Sequence, residues 1–196
     1  MLDRIMGVIT LKAPVYREIA DDQSGTSQAA MIVVVVSLIS GFCRGLVAVS
    51  RDGTASVSLL GGIVNAVVAV VVGLIGWAIA AWVLAAVAKA MGGKTDTGEM
   101  LRVTGYVHVF SLVTVLNLAL LISPVLGCIT GLISIASGIA YIIGYLIGVR
   151  EAAEFSTGNA VIAALVAAVI DILITLVVGG AIFAAIAAAV AVSGAR

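Results

Sequence analysis

The residues able to do chemistry are few, and most of them stand where a polar group is costly. Asp171 lies about eleven residues into a long apolar run, roughly 16 Å along it at ~1.5 Å per residue. An acid at the centre of a membrane helix costs ~2.5–3.5 kcal/mol on insertion scales, so it must face protein or water. At comparable depth in other runs stand His108, Asn65 and Asn117, with Arg44 toward the end of the first run. An acid and an imidazole in such a setting could relay protons or ions. The alternative is a hydrogen bond or ion pair that fixes helix register, and the residues leave both open. Arg44 and Arg102 lie near run ends, where a long side chain can snorkel to the interface.

Other chemistry is poorly supplied. One histidine, with Cys43 and Cys128 far apart, excludes most metal sites. A Cys43–Cys128 disulfide is geometrically possible, and two free thiols are the plainer reading. Gly92-Gly93-Lys94-Thr95 lacks the earlier glycine of a phosphate loop and follows an apolar run instead of a strand. Ser, His and Asp do not meet at one depth. No catalytic, cofactor-binding or metal-ligating residue is therefore expected, and no cofactor.

The elements that must position the polar groups follow from composition. Of 196 residues 63% are apolar and 10% charged, against ~25% charged in a soluble domain. The net charge is zero, which argues against nucleic acid as a partner. A spanning helix needs ~20 apolar residues, and five runs qualify: Ala29–Val49, Val57–Ala88, Leu101–Ile122, Val125–Val149 and Ala160–Val192. They are too continuous for strands and lack period-two alternation. The fold class read here is all-α: an integral membrane bundle of five transmembrane helices. Residues 1–28 form a cytoplasmic amphipathic segment and 29–196 the five-helix domain. No secretory signal peptide is read, because the first long apolar run begins only at Ala29.

Local signals punctuate the runs. Ser50-Arg51-Asp52-Gly53 is a polar turn, and Gly92 to Gly98 breaks the second helix. Asp96 and Glu99 have capping-box spacing. Ser123-Pro124 makes a minimal turn, and Ser156 to Asn159 can cap the fifth helix. Before the first run, Leu2, Ile5, Met6 and Ile9 form a helical stripe, interrupted at Pro14 and resumed by Val15, Tyr16 and Ile19. That segment either lies on the membrane surface or docks on the protein's own helix ends.

Seven of the ten Lys and Arg fall on the side of the N-terminus and three (Arg44, Arg51, Arg196) on the other. This favours an N-terminus inside, a C-terminus outside, and the cytoplasmic membrane. Trp77, Trp82, Tyr106, Tyr141 and Tyr145 fall toward the inner side, as a belt or as packing residues. Gly127, Gly131, Ser134 and Gly138, then Gly144 and Gly148, line the fourth helix, and the fifth is rich in alanine from Ala160 to Ala188. Small residues let helices approach in lipid, so these two helices are expected to pack, within one chain or across a homo-oligomer.

The order of features resembles a known family. Pro14-Val15-Tyr16-Arg17-Glu18-Ile19 precedes the acidic pair Asp21-Asp22. After the second helix comes Gly92-Gly93-Lys94, then Gly98-Glu99-Met100-Leu101-Arg102-Val103-Thr104-Gly105-Tyr106. This resembles the bacterial branch of the Yip (Ypt-interacting protein) domain family. Members often carry a proline after the Gly-Tyr pair; His108-Val109-Phe110 stand there, so no proline kink is implied. The resemblance implies five membrane helices, a cytoplasmic N-terminus and no known enzymatic activity. Eukaryotic relatives engage Rab-type GTPases and shape vesicles, a role that does not transfer to bacteria. The expected function is a non-enzymatic scaffold or accessory subunit interacting with lipid or a larger membrane complex. The alternative is a small transporter or channel using Asp171 and His108. A third reading, lipid binding or bilayer shaping, rests on residues 1–22.

Overall fold

The computed structural model describes the backbone of residues 1–49, 55–123 and 125–194, and side chains outside 48–49, 55, 175 and 177–194. Its elements are α1 (Leu2–Ile9), α2 (Ala13–Asp21), α3 (Gly25–Leu46), β1 (Val47–Val49), β2 (Ala55–Val57), α4 (Leu59–Ala90) and α5 (Thr97–Val107). A 3-10 helix (His108–Leu121), α6 (Leu126–Ala153) and α7 (Thr157–Gly194) complete it. Five segments are long and apolar enough to cross a membrane: Gly25–Leu46, Leu59–Ala90, Thr97–Leu121, Leu126–Ala153 and Thr157–Ile174. The chain is a multi-pass membrane protein, helical as its hydropathy requires. The turn at 50–53, Pro124, Arg196 and the side chains of Ala184, Ala185 and Ala188 lie outside the described residues.

The expected caps form. Asp96 accepts from the Glu99 N–H at 2.8 Å, and Glu99 reaches back to the Asp96 N–H. Ser156 Oγ accepts from the Asn159 N–H at the start of α7. At the end of α4, Gly92 adopts φ 85°, while Gly93 N–H bonds Ala88 O and Gly92 N–H bonds Lys89 O. That pattern satisfies the last carbonyls and needs a residue free of Cβ strain.

Three expectations change. The first apolar run does not stay helical to Val49, because Val47–Val49 pairs antiparallel with Ala55–Val57. Strands this short show no alternation to read, and valine suits a pleat. The third run is not one α-helix: it passes from α to 3-10 geometry at His108 without a proline. The two helices α6 and α7 pack, and among the described residues the glycines of α6 that meet a neighbour meet other elements. A Cβ on Gly144 would meet Tyr16 Oη and one on Gly148 would meet Val103, so these two receive α2 and α5. Gly127 meets Leu120 of the 3-10 helix. The glycine seam is instead between α3 and α4. A Cβ on Gly41 would stand 2.5 Å from the Ala69 Cβ, and one on Gly62 would meet the Phe42 ring. The signal is the spacing Gly41-x-x-x-Gly45 in the first run.

The two readings of the N-terminal segment divide between its halves. Leu2 is 77% exposed and Met6 58%, so the α1 stripe stays open. Tyr16, Ile19 and Ala20 of α2 are fully buried against α5 and α6. The interruption falls at residues 10–12, and Pro14 sits just after it in the first turn of α2, where a missing N–H costs nothing. Arg102 does not snorkel. It is buried beneath α2, where Nε and Nη2 donate to the Ala20 carbonyl at 2.9 and 2.5 Å and close the last turn. Arg4 pairs with Asp22 at 2.6 Å and with Glu18, and Arg17 pairs with Asp21 and Glu154. Hydrogen bonds from Ser24, then the one from Arg4, hold the Asp22 carboxyl down at about 2.

Most of the aromatic group serves this packing. Trp77 Nε1 donates to Leu101 O and Thr104 Oγ1, and Tyr106 Oη donates to Gln28 Oε1 at 2.7 Å. Trp82 is 61% exposed and remains available to an interface. Cys43 and Cys128 are both free thiols.

Candidate polar site within the bundle

The 3-10 helix carries a pattern the α-helical period hides. His108, Ser111, Thr114 and Asn117 recur at every third residue, with apolar pairs between them. At ~100° per residue, nine residues of α-helix would turn Asn117 to the side opposite His108. At ~120° per residue in 3-10 geometry the four fall in one row. The segment is 14 residues long, where 3-10 runs rarely exceed about four. The row supplies a reason, because it keeps every polar side chain of the segment off the lipid.

The row faces two cavities. One, of about 330 Å³, lies among α3, the 3-10 helix and α6; Arg44, Ser111, Thr114, Asn117, Ser137 and Tyr141 line it. The other, of about 240 Å³, lies among α3, α4 and the 3-10 helix; Ser37, Ser40, Arg44, His108 and Ser111 line it. Arg44 and Ser111 belong to both. Among the described residues Arg44 has no carboxylate partner, and no Asp or Glu lines either cavity.

Several hydroxyls are committed to helix carbonyls. Ser40 Oγ and Thr114 Oγ1 donate to Ser111 O, Ser137 Oγ to Phe110 O, and Ser134 Oγ to Thr130 O. His108 Nδ1 lies 2.9 Å from Thr104 O. A carbonyl only accepts, so in the neutral ring Nδ1 carries the proton and Nε2 is left as an acceptor.

The structure thus sets Arg44 beside Asn117 in one cavity and beside His108 in the other, and keeps the other two candidates apart. Asn65 donates to Gly61 O within α4, at the α3 seam. Asp171 lines neither cavity. It is half-buried on α7, within electrostatic reach of Tyr145. Tyr145 stacks on Tyr141 at 6.2 Å, and Tyr141 meets the His108 ring edge-on at 6.3 Å. Two aromatic rings therefore separate Asp171 from His108. Among the described residues nothing lies within 4 Å of where a Cβ would stand on Gly131 or Gly138, and Gly138 lines the first cavity.

The family model described as Yip1 domain matches residues 6–179. The chain belongs to the Yip1 domain family. No curated protein and no solved structure matches it. The matched Yip1 domain begins within α1, takes in all five described spans and ends in α7. Both cavities and the Asp171 side chain lie inside it.

Within this Yip1 domain the hydroxyl residues Ser37, Ser40, Ser111, Thr114, Ser134 and Ser137 were not among the sequence candidates. The three-residue spacing from His108 is the signal that finds Ser111 and Thr114. Ser134 was noticed only as a small residue, and its Oγ turns back on its own helix.

Proposed function

We propose that this Yip1 domain protein is a non-enzymatic scaffold or accessory subunit of the cytoplasmic membrane. Its N-terminus lies inside and its C-terminus outside, and it holds other membrane proteins or lipid. The observation that carries the reading is α6 at Gly131, where no described atom stands within 4 Å of where a Cβ would be. In lipid, helices associate through close backbone approach, and this glycine suits a further helix from a second protein or a second copy. The orientation is supported by the Lys and Arg asymmetry, since Arg4, Arg17, Lys94, Arg102 and Arg150 cluster about α1, α2 and the neighbouring helix ends. The open stripe of α1 suits contact with the inner leaflet.

Gentle detergent extraction followed by mass spectrometry tests the scaffold. A partner or second copy should co-purify with the wild type. It should be lost from a Gly131→Leu variant that keeps the wild-type melting temperature. A wild type that always purifies as a lone monomer overturns the reading.

The line from His108 through Tyr141 and Tyr145 to Asp171 favours a second reading, a small transporter or channel. Proteoliposomes should then conduct protons or ions, with flux cut at least tenfold by Asp171→Asn. Unchanged flux in that variant, or none in the wild type, ends this reading.

A further inference from the structure

We propose that the two cavities meeting at Arg44 hold the phosphate-bearing headgroup of an anionic phospholipid. The inference does not depend on the scaffold reading, because it concerns a lipid seated inside the bundle and not a partner on α6.

The case begins with what the lining can still donate. Four lining hydroxyls already donate to backbone carbonyls. The guanidinium of Arg44, the amide of Asn117 and the hydroxyls of Ser37, Ser111 and Tyr141 have no described hydrogen-bond partner. What remains is a set of donors around one positive charge, with no carboxylate among the described residues of either lining. That set suits a group that has several acceptor oxygens and carries negative charge. Arginine is the side chain best matched to phosphate, through its planar fork of donors. His108 Nε2, the acceptor the row offers to the second cavity, suits a headgroup hydroxyl there.

Size and surroundings point to lipid. A cavity of about 330 Å³ holds many times the ~30 Å³ of a water molecule. Both cavities lie between membrane-crossing helices. Beside them the exposed apolar residues Val35 and Leu38 of α3 and Val68 and Val72 of α4 offer a track for acyl chains. Arg44 stands in the last turn of α3, away from α1 and α2, so the headgroup belongs to the leaflet opposite α1. A lipid there also answers a cost of the bare fold: a guanidinium at the edge of the hydrocarbon without a counter-charge among the described residues.

The test uses the full chain in neutral detergent, with native mass spectrometry and titration of short-chain phosphatidylglycerol. Phosphatidylcholine, diacylglycerol and inorganic phosphate are the other ligands. Phosphatidylglycerol should bind the wild type and lose about tenfold or more in affinity with Arg44→Gln, the step expected for one charge-assisted contact. Arg44→Lys should recover part of the loss. Ser111→Leu, which fills the shared wall, should block binding with Arg44 intact. Diacylglycerol should not bind, and phosphatidylcholine should bind more weakly than phosphatidylglycerol. Equal phosphatidylglycerol affinity in wild type, Arg44→Gln and Ser111→Leu overturns the proposal. Binding of inorganic phosphate without the lipid overturns its lipid source.

Discussion

The third span contains two helices built on opposite terms. In α5, seven of 11 residues are buried, from Met100 to Val107. In the 3-10 helix that continues it, two of 14 are, Val109 and Thr114. The surroundings of α5 decide its geometry: α2 covers it, Arg102 ties it to Ala20, and Gly105 lets Ala29 and Trp77 close on its backbone. The 3-10 helix has looser walls, and its own triplet pattern decides for it. Packing sets conformation where neighbours are dense. Where they are sparse, the need to keep polar groups off lipid sets it, at the cost of poorer hydrogen-bond geometry.

Two substitutions separate these causes. The larger effect belongs to α5. Arg102→Ala leaves the buried Ala20 carbonyl without its donor and opens a void under α2, a loss of about 3 kcal/mol. Thermal unfolding in detergent should show it, with Arg102→Lys intermediate; a shift no larger than that of an exposed substitution would mean that α2 is held by packing alone. The smaller effect belongs to the 3-10 helix. Replacing Ser111, Thr114 and Asn117 by leucine removes the polar row, and stability should change by less than about 1.5 kcal/mol. The segment should relax toward α-helix and shorten by roughly 7 Å, at ~0.5 Å per residue over its length. Spin-label distances between positions 108 and 121 would read this. An unchanged distance would show that the walls, and not the row, impose the 3-10 form.

The same contrast explains what the sequence made legible. Five spans were readable because a continuous apolar run reports directly on the solvent it meets. The Asp96–Glu99 box and the Ser156 cap were readable because their partners are three residues away. Asp171 and Arg44 stood out because a charge in lipid is rare. The roof of α2 over Arg102 was not readable, since Ala20 and Arg102 are joined by a contact 82 residues apart in sequence. The hairpin at Val47 and Val57 was too short to show a period. The row from His108 to Asn117 was present in the letters, but a reading at 3.6 residues per turn scattered it. Hydroxyl groups escaped notice for a different reason. In a membrane helix they are inexpensive, because a carbonyl one turn back satisfies them, so only their convergence in space marks them.

Because 3-10 geometry rises ~2.0 Å per residue, the 14 residues from His108 to Leu121 reach roughly 28 Å, nearly the ~30 Å hydrocarbon thickness. An α-helix would need about nineteen residues for that reach. The stretched half thus gives the third span about 7 Å more reach than the same residues would have as α-helix, while α5 is the hub on which α2 and α3 assemble.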